Sequence, residues 1–276
     1  MGDGYAPWPP GFDPEHGTVK GAVVTCPVCG ATIDASTTRR LFRAGRAGQR
    51  MVAVVEAGKG GKTYRLPTAA DLDAYRAAEA ALHATCERLR AAWGMEPVPD
   101  EPLPVMSGVF NAPIYGMDTW GKLFNPRQTL ALITFADAVR RAHAQMLACG
   151  YPEDFAKAVV TYLGLAVNKL ATYSCNLVRW RGDVLSFERA FDRQALPMVW
   201  DYGEINPFSG ARGEWDVSGI CLVLDHLTRM PPLPGGGRLD PHPQPLPQDG
   251  LKGGGFAGRL STVSVPPNAR ADPSVS

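Results

Sequence analysis

Ten prolines and eight glycines crowd into the last 46 residues, Pro231 to Ser276, and confine any packed core to the first 230 positions. Pro241-His242-Pro243-Gln244-Pro245-Leu246-Pro247 reads as extended polyproline-like chain, and Gly253-Gly254-Gly255 as a flexible link. Such a stretch buries too little apolar surface to offset an ordering cost of ~1–2 kcal/mol per residue. It is expected to be disordered. The remainder divides by pattern into a small β unit over residues 1–66 and a mainly helical body over 67–230, a mixed α+β chain.

In the helical body the caps are explicit. Thr68 can start a helix running to about Trp93, with Leu72, Tyr75, Leu82, Leu89 and Trp93 at spacings of three, four and seven. Glu96 to Val109 carries four prolines and reads as a linker. Asn125-Pro126-Arg127-Gln128 combines a capping side chain, a proline at the first helical position and a glutamine three residues on. That helix is predicted to run to Cys149 and stop at Gly150. A second, from Glu153, carries Phe155, Val159, Tyr162, Leu163, Ala166, Val167, Leu170 and Tyr173 on a broad apolar face, so the two should form a hairpin. Ser186–Gln194 is expected to form a short helix and Trp215–Met230 an amphipathic one.

Residues 1–66 show turns rather than helical periodicity. Val23-Val24 lead into a cysteine pair. Met51 to Val55 and Lys62 to Leu66, separated by Gly58-Lys59-Gly60-Gly61, predict a β-hairpin with a glycine turn. A unit this small needs a metal or a neighbour for stability.

The formal charge of +1 hides an asymmetry. Between Lys20 and Arg65 nine basic residues face only Asp34 and Glu56, a local excess of seven positive charges. Five of them, Arg39, Arg40, Arg43, Arg46 and Arg50, follow the cysteine pair. On DNA they would neutralise phosphates and add affinity without sequence information. An exposed basic face, or contact with another domain, is the alternative. No run approaches the ~18 apolar residues of a membrane span, and the start carries no basic region followed by an apolar stretch. A cytoplasmic protein without membrane attachment is the expectation.

Six cysteines occur, and four of them, Cys86, Cys149, Cys175 and Cys221, fall in helical patterns without paired spacing, so they are expected to be small buried apolar residues. Cys26-Pro27-Val28-Cys29-Gly30 differs. Two thiolates at this spacing can grip one zinc ion at ~2.3 Å, but a structural site needs four ligands. His16 is the only nearby histidine. The pair therefore reads as a half-site lacking its other knuckle, as part of a complete zinc site, or as a redox dithiol, the last without the βαβ setting such a pair needs.

Taken together, the motifs have a family look. Gly17-Thr18-Val19-Lys20, the Cys26–Gly30 knuckle, Arg39-Arg40-Leu41 and Tyr64-Arg65-Leu66-Pro67-Thr68 come first. Tyr115-Gly116-Met117 and Trp120 through Gln128 follow, then Gln194-Ala195-Leu196-Pro197-Met198-Val199-Trp200-Asp201 and Glu204-Ile205-Asn206-Pro207-Phe208. In this order, over roughly residues 14–230, they resemble the central part of the zinc-ribbon-containing adenine-specific DNA methylases of prokaryotes, which are associated with restriction–modification and phage defence. The resemblance implies an S-adenosylmethionine-dependent DNA methyltransferase. It also implies a glycine-rich donor loop and a first cysteine knuckle upstream, and an Asp-Pro-Pro-Tyr motif downstream. The chain spells none of these. Gly255-Phe256-Ala257-Gly258 lacks the strand and acidic residue that precede a donor loop. The chain thus reads as a truncated or frame-disrupted piece that contributes DNA contact or scaffold, without activity alone. Partner chains supplying the missing halves would restore activity. A stand-alone zinc-binding or helical interaction module, with no methyltransferase role, is the alternative.

The remaining motifs carry less. Asn206-Pro207-Phe208 reads as a turn rather than a shortened base clamp. Asp201 and Glu204, with no partner histidine, are expected to be exposed loop acids. Trp120 and Phe124 are expected to pack in the core rather than stack on a base. The glycines and lysines of Gly58 to Lys62 lack the spacing of a phosphate loop.

Overall fold

The computed structural model describes residues 17–26, 29–106, 109–209 and 214–229. The proline- and glycine-rich tail, His16 and the Gly255–Gly258 stretch lie outside the described residues, as do Pro27 and Val28 within the knuckle. Those that are described pack as one unit ending at Arg229.

Two capping boxes set the helical body. The first helix of the body, α2 (Ala69–Trp93), starts where Asp71 accepts from the Thr68 amide at 2.7 Å and Thr68 Oγ1 accepts from the Asp71 amide. Arg65 donates to the same carboxylate at 2.6 Å and to Glu56 at 2.6 Å, tying the preceding hairpin to the helix start. Helix α3 (Pro126–Ala148) is closed by two reciprocal 2.9 Å bonds: Asn125 Oδ1 accepts from the Gln128 amide, and Gln128 Oε1 from the Asn125 amide. After Gly150 in the left-handed region and Pro152, α4 (Glu153–Tyr173) folds back against α3, which also packs on α2. Helix α5 (Ser218–Arg229) is capped by Asp216, whose Oδ1 accepts from the Ser218 amide at 2.8 Å. No helix among the described residues is long and apolar enough to cross a membrane.

Among the described residues the strands form three small antiparallel sheets, which makes the fold mixed α+β. β1 (Val19–Lys20), β2 (Val23–Thr25) and β3 (Thr32–Ile33) build a meander with the cysteine loop between its last two strands. β4 (Val54–Gly58) and β5 (Gly61–Arg65) form the expected hairpin around Lys59-Gly60. β6 (Arg179–Arg181) pairs with β7 (Ser186–Glu188). Two expectations are corrected. Ser186–Gln194 is no helix: its first three residues are β7, held by pairing with β6 and by Phe187, which packs into the core. Within residues 1–66 a helix also appears, α1 (Ala35–Arg43).

The core sits mostly between the helices. Leu103, Ala112, Leu123, Leu177, Val178 and Leu196, in loops and short 3-10 turns, pack together with Cys175 and partly buried Phe124. A second cluster joins Leu170, Tyr173 and Ile205, and Phe187 packs against both. Fully burying a leucine contributes about 1.5–3 kcal/mol, and these segments are held by their side chains together with backbone bonds, such as the Leu103 amide to the Asp118 carbonyl at 2.8 Å and the Leu196 amide to the Val109 carbonyl at 2.8 Å. Phe124 packs as expected, whereas Trp120 stays 39% exposed. Of the four unpaired-spacing cysteines only Cys175 is buried, just beyond the end of α4. Cys86 is half-buried, and Cys149 and Cys221 are exposed, because they fall on the solvent sides of α3's end and α5.

Candidate nucleic-acid interface

Helix α1 carries the first three arginines, and its start is local chemistry. Asp34 Oδ1 accepts from the Ser36 and Thr37 amides at 2.8 and 2.9 Å. The Ser36 hydroxyl, backed by Thr37, holds its carboxyl well below the usual carboxylate range. Arg40 and Arg43 lie in the last turn, where helix-end carbonyls favour positive charge. One face of α1 is inward. Thr38 is buried, Arg39 lies 5.9 Å over the Tyr115 ring, and Phe42 meets Tyr115 and Trp200 edge-on at 5.7 and 5.5 Å. Tyr115 and Trp200 meet in turn at 5.5 Å, closing an aromatic triad. The other face presents Ser36, Arg40 and Arg43, spaced four and three residues apart and exposed on one stripe.

The stripe continues into the loop after α1. The Arg46 amide donates to the Leu41 carbonyl at 2.9 Å, and Arg46 and Arg50 are exposed. Between them Gln49 is pinned: its Oε1 accepts from Tyr202 Oη at 2.7 Å and from Tyr75 Oη at 3.3 Å. Phe42 and Gln49 thus fasten the arginine-bearing segment to the body at two points. Gly116, in the left-handed region at φ +87°, lets the end of α1 approach: a Cβ there would meet the Arg43 Cα and the Phe42 carbonyl at 3.3 Å.

Beneath Gln49 lies a polar cluster at the start of α3. Glu204 accepts from Asn125 Nδ2 at 2.8 Å and from Arg127 Nε at 2.5 Å, and Arg127 sits 5.3 Å from the Tyr75 ring. Burial pushes the Tyr75 hydroxyl up to about 12 and raises that of Tyr202. Asp201 is exposed as expected, but Glu204 is not a loop acid in solvent. Its side chain is 19% exposed because the α3 cap and Arg127 draw it in. Asn206 closes the expected turn, its Oδ1 accepting from the Phe208 amide at 3.0 Å.

The cysteine pair sits on the loop joining β2 to β3. The Cys26 amide donates to the Ala31 carbonyl at 2.8 Å and the Gly30 amide to the Cys26 carbonyl at 2.9 Å, with Gly30 left-handed at φ +71°. Cys26 is half-buried and Cys29 exposed. Among the described residues no group of three His, Cys, Asp or Glu side chains could hold a metal ion. Two thiolates do not make a closed zinc site.

No family model, curated protein or solved structure matches this chain.

Of the five arginines singled out in the sequence, the structure brings Arg40, Arg43, Arg46 and Arg50 to solvent on one continuous segment and turns Arg39 inward, with its Nε buried. Among the described residues those four make no ion pair. Arg65 is spent on Glu56 and Asp71, and Lys62 bonds the Leu185 carbonyl beneath the Trp180 ring. Gln49 and Tyr202 escape a sequence reading because their bond spans 153 residues and carries no spacing signal. Tyr115-Gly116 and Trp200 lie within quoted motifs, but their use as a seat for α1 appears only in three dimensions.

Proposed function

We propose that this chain contacts DNA through Arg40, Arg43, Arg46 and Arg50, as the DNA-contact or scaffold part of an adenine-specific DNA methylase, without a methyl-donor pocket of its own. The observation that carries the reading is the exposure of four arginines on a segment fastened at Phe42 and Gln49, with no acidic partner among the described residues. Arginines held in place lose less freedom on docking, and guanidinium groups match phosphate oxygens. The motif resemblance over residues 14–230 supplies the enzyme class. The sequence spells no glycine-rich donor loop, so no methyl-transfer step is assigned to it.

Anisotropy of a labelled duplex tests the contact. Each neutralised phosphate contributes about −0.9 to the slope of log K against log salt, so four arginines predict a slope of about −3 to −4. The quadruple alanine variant should flatten that slope. Binding that ignores salt, or is untouched by the four substitutions, removes the assignment. Calorimetry with S-adenosylmethionine is expected to show no heat, and micromolar binding would overturn the claim that the donor pocket lies elsewhere.

A second reading, a helical interaction module, is favoured by α5. None of its residues is buried, and Leu222, Val223 and Leu227 are 70%, 57% and 52% exposed.

A further inference from the structure

We infer that Trp200 is a stacking seat for an unpaired DNA base, set beside the arginine-bearing segment. The inference rests on the DNA reading above and extends it from backbone contact to a base contact. Phe42, Tyr115 and Trp200 pack as a triad, and the indole is its most exposed member: Tyr115 is 7% exposed and Trp200 36%. Phe42 and Tyr115 meet the indole at interplanar angles of 86° and 83°, so neither ring lies flat on it. An indole is the largest aromatic face a side chain offers, and a base of any kind can stack on such a face.

The fastenings that hold the arginines also set the place of this ring. Val199, one residue before it, is buried, and Tyr202, two residues after it, donates through Oη to Gln49 Oε1 at 2.7 Å. Gln49 lies between Arg46 and Arg50, and Phe42 directly precedes Arg43. Trp200 therefore sits next to the end of α1, where Arg40 and Arg43 are exposed, and is tied to the loop that carries Arg46 and Arg50. Guanidinium groups suit the phosphates of a strand, and the indole suits a base that those phosphates carry. Asp201, next in the chain, is exposed. A carboxylate there repels phosphate but accepts from an exocyclic amino group, so the spot suits a base edge rather than backbone. A paired base keeps its faces inside the stack. The seat thus selects a base that has left the duplex.

The test compares three duplexes of one sequence by anisotropy with the full chain. One is fully paired, one carries a bulged adenine, and one carries the same bulge as an abasic sugar, which keeps the phosphate and the hinge but removes the base. Stacking on one aromatic side chain changes affinity by about 5- to 150-fold, so the bulged adenine should bind more tightly than the paired duplex by a factor in that range. The abasic bulge should lose this gain. Trp200→Leu keeps an apolar side chain against Phe42 and Tyr115 without a stacking face. It should bind the paired duplex like the unmodified chain, with the same salt slope, and show no preference for the bulged adenine. Trp200→Phe should keep part of the preference. Salt-dependent binding with equal affinity for the paired and bulged duplexes overturns the inference and leaves the arginine contact standing. A preference that survives in the abasic bulge or in Trp200→Leu overturns it as well. So does Trp200→Leu weakening all three duplexes by one factor, which makes the indole a packing residue only. Failure to bind any of the three removes the DNA reading, and the inference with it.

Discussion

Single positions decide how the arginine segment is held. Gly116→Ala adds a methyl group between two backbone neighbours at 3.3 Å, in a conformation that L residues rarely adopt. We expect a loss of about 1–3 kcal/mol in denaturant unfolding, together with weaker DNA binding as α1 is pushed from its seat. Gly150→Ala is the control. It has the same backbone sign but nothing within 4 Å of its Cβ, so it should cost less and leave DNA affinity alone. Cys175 gives a second residue-level test. Burial pushes its thiol up to about 12, from 9.0 in water. Between these values the unfolded chain releases a proton that the folded chain keeps. The thiol's contribution is therefore full below pH 9 and falls as pH rises, by about 1.4 kcal/mol per unit. Cys175→Ala should flatten that alkaline limb in pH-dependent unfolding. In the native protein alkylation should reach Cys29, Cys149 and Cys221, and Cys175 only after unfolding.

Elements were legible in proportion to how locally their signals are written. Thr68 and Asn125 announce α2 and α3 because a capping box is a contact over three residues, visible in any sequence. Asn125 is also 2% exposed and bonds Glu204 and Tyr202, which no spacing reveals. Asn125→Ala should therefore cost more than an ordinary cap, about 2 kcal/mol or slightly above, read as a drop in the urea midpoint at constant slope. Helix α1 is hard to see for the opposite reason. It is short, and its inward face mixes Thr38 and Arg39 with Phe42, so few apolar residues mark it and the Asp34 cap is its clearest local signal. The β6–β7 hairpin hides differently. Its turn spans Gly182-Asp183-Val184-Leu185 and places Leu185, not Gly182, at positive φ (48°), so the glycine does not mark the position that turns the chain. The same division holds at the site. Arginine content is visible in the sequence, whereas which guanidinium faces water depends on Tyr115, Trp200 and Gln49, brought in from distant segments.

At the scale of the whole molecule, the helices are less covered than their patterns suggest. Along α5 the stripe Ile220, Val223, Leu224 and Leu227 follows helical spacing, yet only Ile220 and Leu224 are half-buried. Phe155 and Leu165 on α4 are each 53% exposed. Solvated apolar side chains of this size favour association, since each Å² removed from water contributes about 25 cal/mol. We therefore expect the chain to self-associate with rising concentration. Replacing Leu222, Val223 and Leu227 together by glutamine should reduce both that association and the binding of a hydrophobic dye. The fold should be unchanged, because none of the three is buried. DNA affinity should not change in this variant, since the arginine segment lies on other elements. A concentration-independent monomer of the unmodified chain would show instead that these helix faces are covered in solution, and with them the case for an interaction module built on α5 would fall.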